Sequence, residues 1–324
     1  MNLINKKPVG RSEALLFVGR YGTIIILFLM VLLFSIFLPP FRTLSNFLNL
    51  LGQSATLAIF AVGLTCCLKV GDFDLSIGAV AALTGIVVAK MMVSGVSIPL
   101  SIIAAILVGV LVGIINGILV ANVNLNAFVA TLATMSIIIG LAQGITQGSS
   151  IWSGIPASFE IIGRGELLRV PYRFLIAFAL ILVIWFIHTY TPTGRKMEAI
   201  GGNPQAARLS GIQVEWNRML AFIFSGACSA VAGIVLTSGL MSANPTQGTQ
   251  YLLDAFGACF IGAATVRIGQ FHVWGTFVGV FIVVIAINGL IIMMVPGYLM
   301  DMIKGMILLL AILLSSVVSK YLRS

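Results

Sequence analysis

The stretch KVGDFDLSIGAVAAL, residues 69–83, places two carboxylates, Asp72 and Asp74, one residue apart in an otherwise apolar run. The chain carries only 9 acidic residues in 324, so the pair needs a physical reason. An Asp at the centre of a bilayer costs ~3 kcal/mol, while each Leu or Ile returns about half a kcal/mol. One helix could absorb a single Asp; a pair belongs at an interface. Residues 48–70 and 76–96 are each long enough to cross a membrane without 71–75. The stretch therefore reads as a tight reversal between two membrane helices. Gly71 permits the turn. Asp74, ahead of the helical run from Leu75, is placed to cap that helix at the positive end of its dipole. Capping accounts for one carboxylate and leaves Asp72 without a role.

The rest of the chain agrees with a lipid solvent. It is 60% hydrophobic and 8% charged, with mean hydropathy +1.13. Soluble domains carry about 25% charged residues. Apolar runs of about 20 residues suit helices crossing a ~30 Å core, and the lack of sustained alternation argues against a β-barrel. Ten segments are predicted, at about 22–39, 48–70, 76–96, 98–120, 127–146, 173–190, 218–240, 252–266, 273–295 and 299–318. The fold class is an all-α polytopic bundle, read as one domain over 1–324. Nothing follows the first segment that resembles a signal-peptide cleavage site.

With ten segments both termini share a side. Placing them in the cytoplasm puts Lys6, Lys7, Arg11, Arg20, Lys69, Arg195, Lys196, Arg208, Arg218, Arg267, Lys320 and Arg323 inside, and Arg42, Arg164, Arg169 and Arg173 outside. The excess obeys the positive-inside rule. It makes 1–21 a cytoplasmic N-terminal segment, 191–217 a cytoplasmic loop and 147–172 a periplasmic one. The net charge of +9 is then membrane topology, with no nucleic acid as partner.

VGVLVGIINGILV (108–120) is echoed by VGVFIVVIAINGLII (278–292), five segments later. An odd offset reverses direction, the pattern of an inverted repeat in transporters; chance matching in an apolar alphabet is the alternative. No phosphate-cradling loop, zinc-protease helix, nucleophile elbow or Cys/His metal spacing occurs. Cys66, Cys67, Cys228 and Cys259 read as small buried residues. His188 and His272 fall at segment ends on the inner side and read as wet, interfacial histidines. No enzyme activity and no bound cofactor or metal is expected.

In the loop TPTGRKMEAIGGNPQAARLSGIQVEW (191–216), Asn203 is placed to cap a short helix from Pro204 to Leu209, with Pro204 at its first position and Gly211 beyond its end. Its face is too polar for a good lipid anchor. It carries Arg208 and the small Ala206, Ala207 and Ser210, which let another protein approach closely.

These residues carry a resemblance. G-D-F-D-L-S-I-G (71–78) resembles the Gly-Gly-Ile-Asp-Leu-Ser-Val-Gly signature of permease subunits of ABC importers for ribose and related sugars. The segment 193–212 is similar to that family's cytoplasmic loop, as are 126–135 and 224–234 to other family segments. The likeness spans roughly residue 20 to the C-terminus. The Gly71-Asp72-Phe73-Asp74 form is an acidic variant similar to that of some pentose permeases, and 264–276 departs from the commoner Gly-Gly-rich form.

The resemblance implies a multi-pass bacterial inner-membrane subunit paired with a second permease copy. It implies ABC ATPase partners that use ATP and Mg, and a periplasmic sugar-binding protein outside. The ATPase would couple through Gly194, Arg195, Glu198, Gly201, Gly202, Asn203, Ala206, Ala207, Arg208 and Gly211. A neutral sugar needs hydrogen-bonding side chains with little net charge. Asn116, Asn126, Ser136, Asn288 and Ser76 are path candidates on that ground, although each could equally bond helices together. Asp254 opens a short segment as Asp74 opens another, each followed by Gly within four residues, so both join the candidates. Two other readings stand: an ion-coupled secondary transporter whose Asp72, Asp74 and Asp254 titrate, and a membrane scaffold that transports nothing.

Overall fold

A computed structural model describes residues 9–265 and 269–323. Lys6, Lys7 and Arg267 of the expected inside set lie outside the described residues. Ten helices correspond to the ten predicted segments. They are α1 (Val9–Phe37), α2 (Leu44–Lys69), α3 (Ile77–Val93), α4 (Ile98–Gly117), α5 (Ala127–Thr146), α7 (Tyr172–Tyr190), α10 (Val214–Leu240), α11 (Tyr251–Ala263), α12 (Val273–Ile292) and α13 (Gly297–Arg323). Between them lie α6 (Glu160–Arg164), α8 (Pro192–Gly202) and α9 (Pro204–Leu209). α1 starts at Val9, well before the expected residue 22, and α4 runs on through a π turn at Ile118–Asn122.

Six of these helices are long and apolar enough to cross a membrane among the described residues; α3 and α11 are apolar but shorter. They differ in what surrounds them. The apolar windows of α2 and α10 are 89% and 67% buried, against 22–28% for α4, α5 and α7. α2 and α10 form the centre with the largely buried α3, and α4, α5 and α7 cover them and face lipid. α2 shows the composition this needs. Ala55, Ala58, Ala61, Gly63, Cys66 and Cys67 are small and enclosed on all sides, as in a helix with no solvent face. All four cysteines are buried free thiols.

Without a hydrophobic drive between helices in lipid, close backbone contact through small residues supplies the cohesion. α4 meets α10 in this way. Gly109, Gly113 and Gly117 lie one turn apart and face Gly226, Phe222 and Met219. A Cβ built on Gly113 would sit 2.8 Å from the Ile223 Cα. Hydroxyls add a second kind of link: Thr65 of α2 and Thr276 of α12 share a hydrogen bond of 2.7 Å.

The packing is exchanged between halves. α3 and α4 lie against α10, whereas α11 and α12 lie against α2. An inverted repeat would produce that arrangement. The echoed motifs themselves make unlike contacts: Gly109 packs on α10, Gly279 on Ala258 of α11.

The bundle has two distinct ends. At one lie 70–76, 118–126, 191–213 and the described part of 264–272, joined by Lys69–Glu198 and Asp72–Arg218. At the other lie 38–43, 94–97, 147–171, 241–245 and 293–296, joined by the Ile151–Ala243 bridge and by the Gly163 amide donating to Ser238; 246–250 folds back into the bundle, where Gly248 packs against Gly78 of α3. This is the division expected from the positive-inside count. The loop 147–172 holds α6 and a two-residue hairpin, β1 (Glu166–Leu167) with β2 (Val170–Pro171).

The Gly contacts give a stability test. Gly113→Ala and Gly140→Ala both gain roughly 1 kcal/mol of helix propensity. Gly140 faces open space, whereas the new methyl at 113 strikes α10, an overpacking cost of about 1–3 kcal/mol. Thermal unfolding in detergent should show Gly113→Ala melting below Gly140→Ala.

Candidate functional site

The 70–76 turn is built as its sequence requires. Gly71 has φ +88, and the Gly71 and Asp72 amides donate to Leu68 O (3.1 Å) and Cys67 O (3.0 Å). This is the left-handed helix stop that glycine favours. The carboxylates then diverge. Asp72 receives Arg218 as a fork, Nε to Oδ2 at 2.8 Å and Nη2 to Oδ1 at 2.7 Å. Bidentate pairing fixes both partners in orientation. Asp72 thus has a structural partner that capping could not provide.

Asp74 does not cap α3 as expected. That helix begins at Ile77 with no side-chain cap. Asp74 Oδ1 instead accepts from the Ser76 amide (2.9 Å) and hydroxyl (2.6 Å), and Oδ2 accepts from Ser225 Oγ at 2.7 Å. The turn closes locally before the helix starts, leaving the carboxylate free to reach α10. Asn116 of α4 donates to Ser76 Oγ at 2.9 Å. Thr131 of α5, not singled out from sequence, accepts from the Leu75 amide at 3.1 Å. Asp74, Ser76 and Asn116 are 2%, 0% and 1% exposed, so this is a sealed network.

The remaining path candidates lie apart. Asn126 caps α5, accepting from the Phe128 and Val129 amides. Ser136 is on the exposed face of α5 and donates to Leu132 O. Asn288 exchanges hydrogen bonds of 3.0 and 3.1 Å with Asn46 of α2. Asp254 lines a cavity, paired with Lys304 at 3.1 Å.

That cavity, of about 760 Å³, lies among α2, α7, α10, α11, α12 and α13 at the end opposite 191–213. Three cations and three anions line it: Arg164, Arg173 and Lys304 against Glu166, Asp254 and Asp301. Asn49, Gln53 and Thr56 present one face of α2 to it, and Leu57, Val235 and Ile287 contribute apolar wall. Of these, sequence reading found only Asp254. A signal existed in α2, where Asn49, Gln53 and Thr56 recur at helical spacing within an apolar span.

At the opposite end, α9 forms as predicted. Asn203 Oδ1 accepts from the Gln205 and Ala206 amides at 3.0 Å, Pro204 is the first helical residue and Gly211 has φ +79. α8 was not foreseen, because Gly194, Gly201 and Gly202 are poor helix formers. Tertiary packing overrides them. Met197 and Ile200 are fully buried, a Cβ on Gly194 or Gly201 would strike His188 or Lys69 backbone, and Glu198 binds Lys69 Nζ at 3.0 Å. Arg195, Gly202, Asn203, Ala206, Arg208 and Gly211 are exposed, whereas Ala207 is buried. Arg208 pairs with Glu215, and Leu209 is 91% exposed.

Of the two histidines, His188 differs from expectation. His188 is buried, its ring nitrogens without hydrogen-bond partners among the described residues. It lies under Gly194, where α8 folds back over the end of α7. His272 caps α12, its Nδ1 accepting from the Gly275 amide at 2.9 Å.

Two-ended, multi-pass, with a polar cavity at one end and a braced helical loop at the other, the molecule is a membrane transport subunit. Residues 46–312 match the family described as branched-chain amino acid transport system / permease component, and the chain belongs to it. It is 40% identical to the ribose import permease protein RbsC of Bacillus subtilis (strain 168), over 91% of this chain and 92% of that one. Identity to the D-allose transport system permease protein AlsC of Escherichia coli (strain K12) is 32%, over 97% of this chain and 96% of that one. The L-arabinose transport system permease protein AraH of the same organism is also 32% identical, over 91% of this chain and 89% of its own. No solved structure matches.

Removing one partner of a buried ion pair costs roughly 3–5 kcal/mol, because the other charge is left unpaired. Asp72→Asn and Arg218→Gln should each lower stability on that scale. The double variant should lose clearly less than the sum, as read from unfolding midpoints in a double-mutant cycle.

Proposed function

We propose that the chain is the permease subunit of an ATP-driven importer and forms the membrane path for a monosaccharide. The observation that carries this reading is similarity from end to end with permeases named for ribose, allose and arabinose. The family description mentions branched-chain amino acids, but the relatives are named for sugars, and the cavity can take one. Here amides, a hydroxyl and balanced charges intersperse the apolar wall, which suits a neutral ligand rich in hydroxyls. The volume falls within the range of about 300–1,000 Å³ usual for small-molecule sites.

Energy enters through partners. An ABC ATPase would dock on 191–217, where α9 offers exposed Leu209 and Arg208 beside close-approach positions Gly202 and Ala206. Ala207, turned inward, would brace that helix from beneath. α8 lies on the inner end of α2 through Lys69–Glu198 and Gly201, and α2 is one unbroken helix whose other end lines the cavity. A push on α8 would therefore reach Asn49 and Gln53 along a rigid rod. A sugar-binding protein would dock at the cavity end, where Trp152 and Leu168 stand exposed. Asp254, alone among the sequence candidates on the cavity wall, joins the path; Asp74, Ser76 and Asn116 hold the helices around it.

An ion-coupled carrier needs carboxylates free to change charge. Asp72 and Asp254 are bound by Arg218 and Lys304 and Asp74 by the Ser76 amide and hydroxyl and Ser225 Oγ, which disfavours that reading.

Reconstituted with its ATPase and sugar-binding protein, the permease should accumulate labelled ribose, allose or arabinose only when ATP is supplied. Accumulation driven by a proton gradient without ATP would refute the reading. Leu209→Asp should weaken ATPase co-purification and cut uptake at least tenfold. Its melting temperature should match the parent's, because the side chain touches little of its own fold.

A further inference from the structure

Arg173 is the cavity residue that the permease reading alone does not explain. It opens α7 within the cavity wall. Its guanidinium lies across Gly52 of α2: a Cβ built there would sit 2.6 Å from Cζ and 2.7 Å from Nε. Glycine at 52 thus makes the slot that the guanidinium fills. Nε is enclosed and has no hydrogen-bond partner, and no carboxylate lies within 4.0 Å of Arg173 among the described residues. Arg173 as a whole is half-buried, but an enclosed donor left without an acceptor is unfavourable. Asp254, the most enclosed carboxylate of the cavity, is already taken by Lys304. The wall holds a planar fork of N–H donors to which no acceptor is supplied among the described residues.

The surroundings restrict the missing partner. An anionic ligand near Arg173 would share the cavity with Glu166, Asp254 and Asp301 as well as Arg164 and Lys304, so apart from Arg173 itself the wall offers it no net positive charge. A hydroxyl-rich neutral ligand needs none, and two adjacent hydroxyl oxygens can accept from the guanidinium fork. Gln53 lies one residue from the slot on α2. Tyr251, stacked on Phe60 at 5.2 Å, gives a fixed ring on the same wall.

We infer that Arg173, seated on Gly52, is the specificity-determining donor of a polyol subsite inside the permease itself, one that takes the neutral sugar after the binding protein releases it. This rests on the sugar-permease reading and adds to it a site in this chain.

The test uses the complete importer in proteoliposomes, with labelled D-ribose as probe, and reads ribose accumulated per ATP hydrolysed. Variants are compared at equal amounts of assembled importer, because ATPase left unassembled hydrolyses ATP without transport and lowers the ratio. Arg173→Gln, and Gly52→Ala with its guanidinium displaced, should each lower the ratio at least tenfold. Arg173→Lys keeps the charge but loses the fork, and should lower it about threefold. An unchanged ratio in Arg173→Gln overturns the inference. If that variant does not assemble, an unchanged ratio in Arg173→Lys overturns it instead. Parent importer that accumulates ribonate faster than ribose overturns the neutral assignment. Parent importer that accumulates none of ribose, allose or arabinose removes the sugar-permease reading itself, a different outcome from indifferent variants on an active parent.

Discussion

One short turn holds the helices in register. Residues 71–76 join α2 to α3 yet are bonded to three further helices: α10 through Asp72–Arg218 and Asp74–Ser225, α4 through Asn116, and α5 through Thr131. Arg218 and Ser225 are seven residues apart, two turns along α10, and so lie on one face of it. The two carboxylates therefore grip one stripe of the central helix. In lipid an unpaired charge costs far more than in water, so the turn has a single favourable seat. Slipping α10 by one turn would strand Asp72 and Arg218 together.

Glycine contact makes that seat tight. α4 approaches α10 at Gly109 and Gly113, and Gly63 of α2 meets Cys228 and Ser225 of α10. Ser225 thus serves twice, with its hydroxyl on Asp74 and its backbone against Gly63. Polar bonds select the register and small residues allow the distance at which those bonds form. Neither suffices alone, because van der Waals packing between helices in lipid has little directional preference and a charge pair at longer range would admit water.

What could be read from the sequence followed the range of the interactions involved. Helix spans are legible because burial in lipid acts on composition over 20 residues. α9 is legible because its cap, first-turn proline and terminal glycine are all local. The Asp72–Arg218 pair is not, since its partners are 146 residues apart and no local rule joins them. α8 was hidden for the opposite reason: its glycines argue locally against a helix, and only the contacts with His188 and Lys69 show why they are required there. The cavity residues were missed because α2, α7, α11 and α13 each bring only a few. Their convergence is a property of the bundle, and only the α2 stripe announces itself by spacing.

The two ends obey different physics, and that difference is what a transporter needs. The inner end is closed by ion pairs, by a sealed hydrogen-bond network and by glycine contact, so its pieces move together or not at all. The cavity end encloses about 760 Å³ among six helices, with one ion pair between helices among the described residues, Lys304 of α13 to Asp254 of α11. The Lys304–Asp254 and Arg218–Asp72 pairs are enclosed to nearly the same degree, but Lys304 meets one carboxylate oxygen whereas Arg218 grips both, so the single contact is the one that can shift without a fixed orientation being lost. Displacement applied at α8 is therefore not absorbed where it enters. Under the proposed coupling it would travel along α2 and appear where the walls are held least firmly, around the cavity. A bundle pinned at both ends would transmit nothing, and one loose at both would dissipate the motion before it reached a ligand.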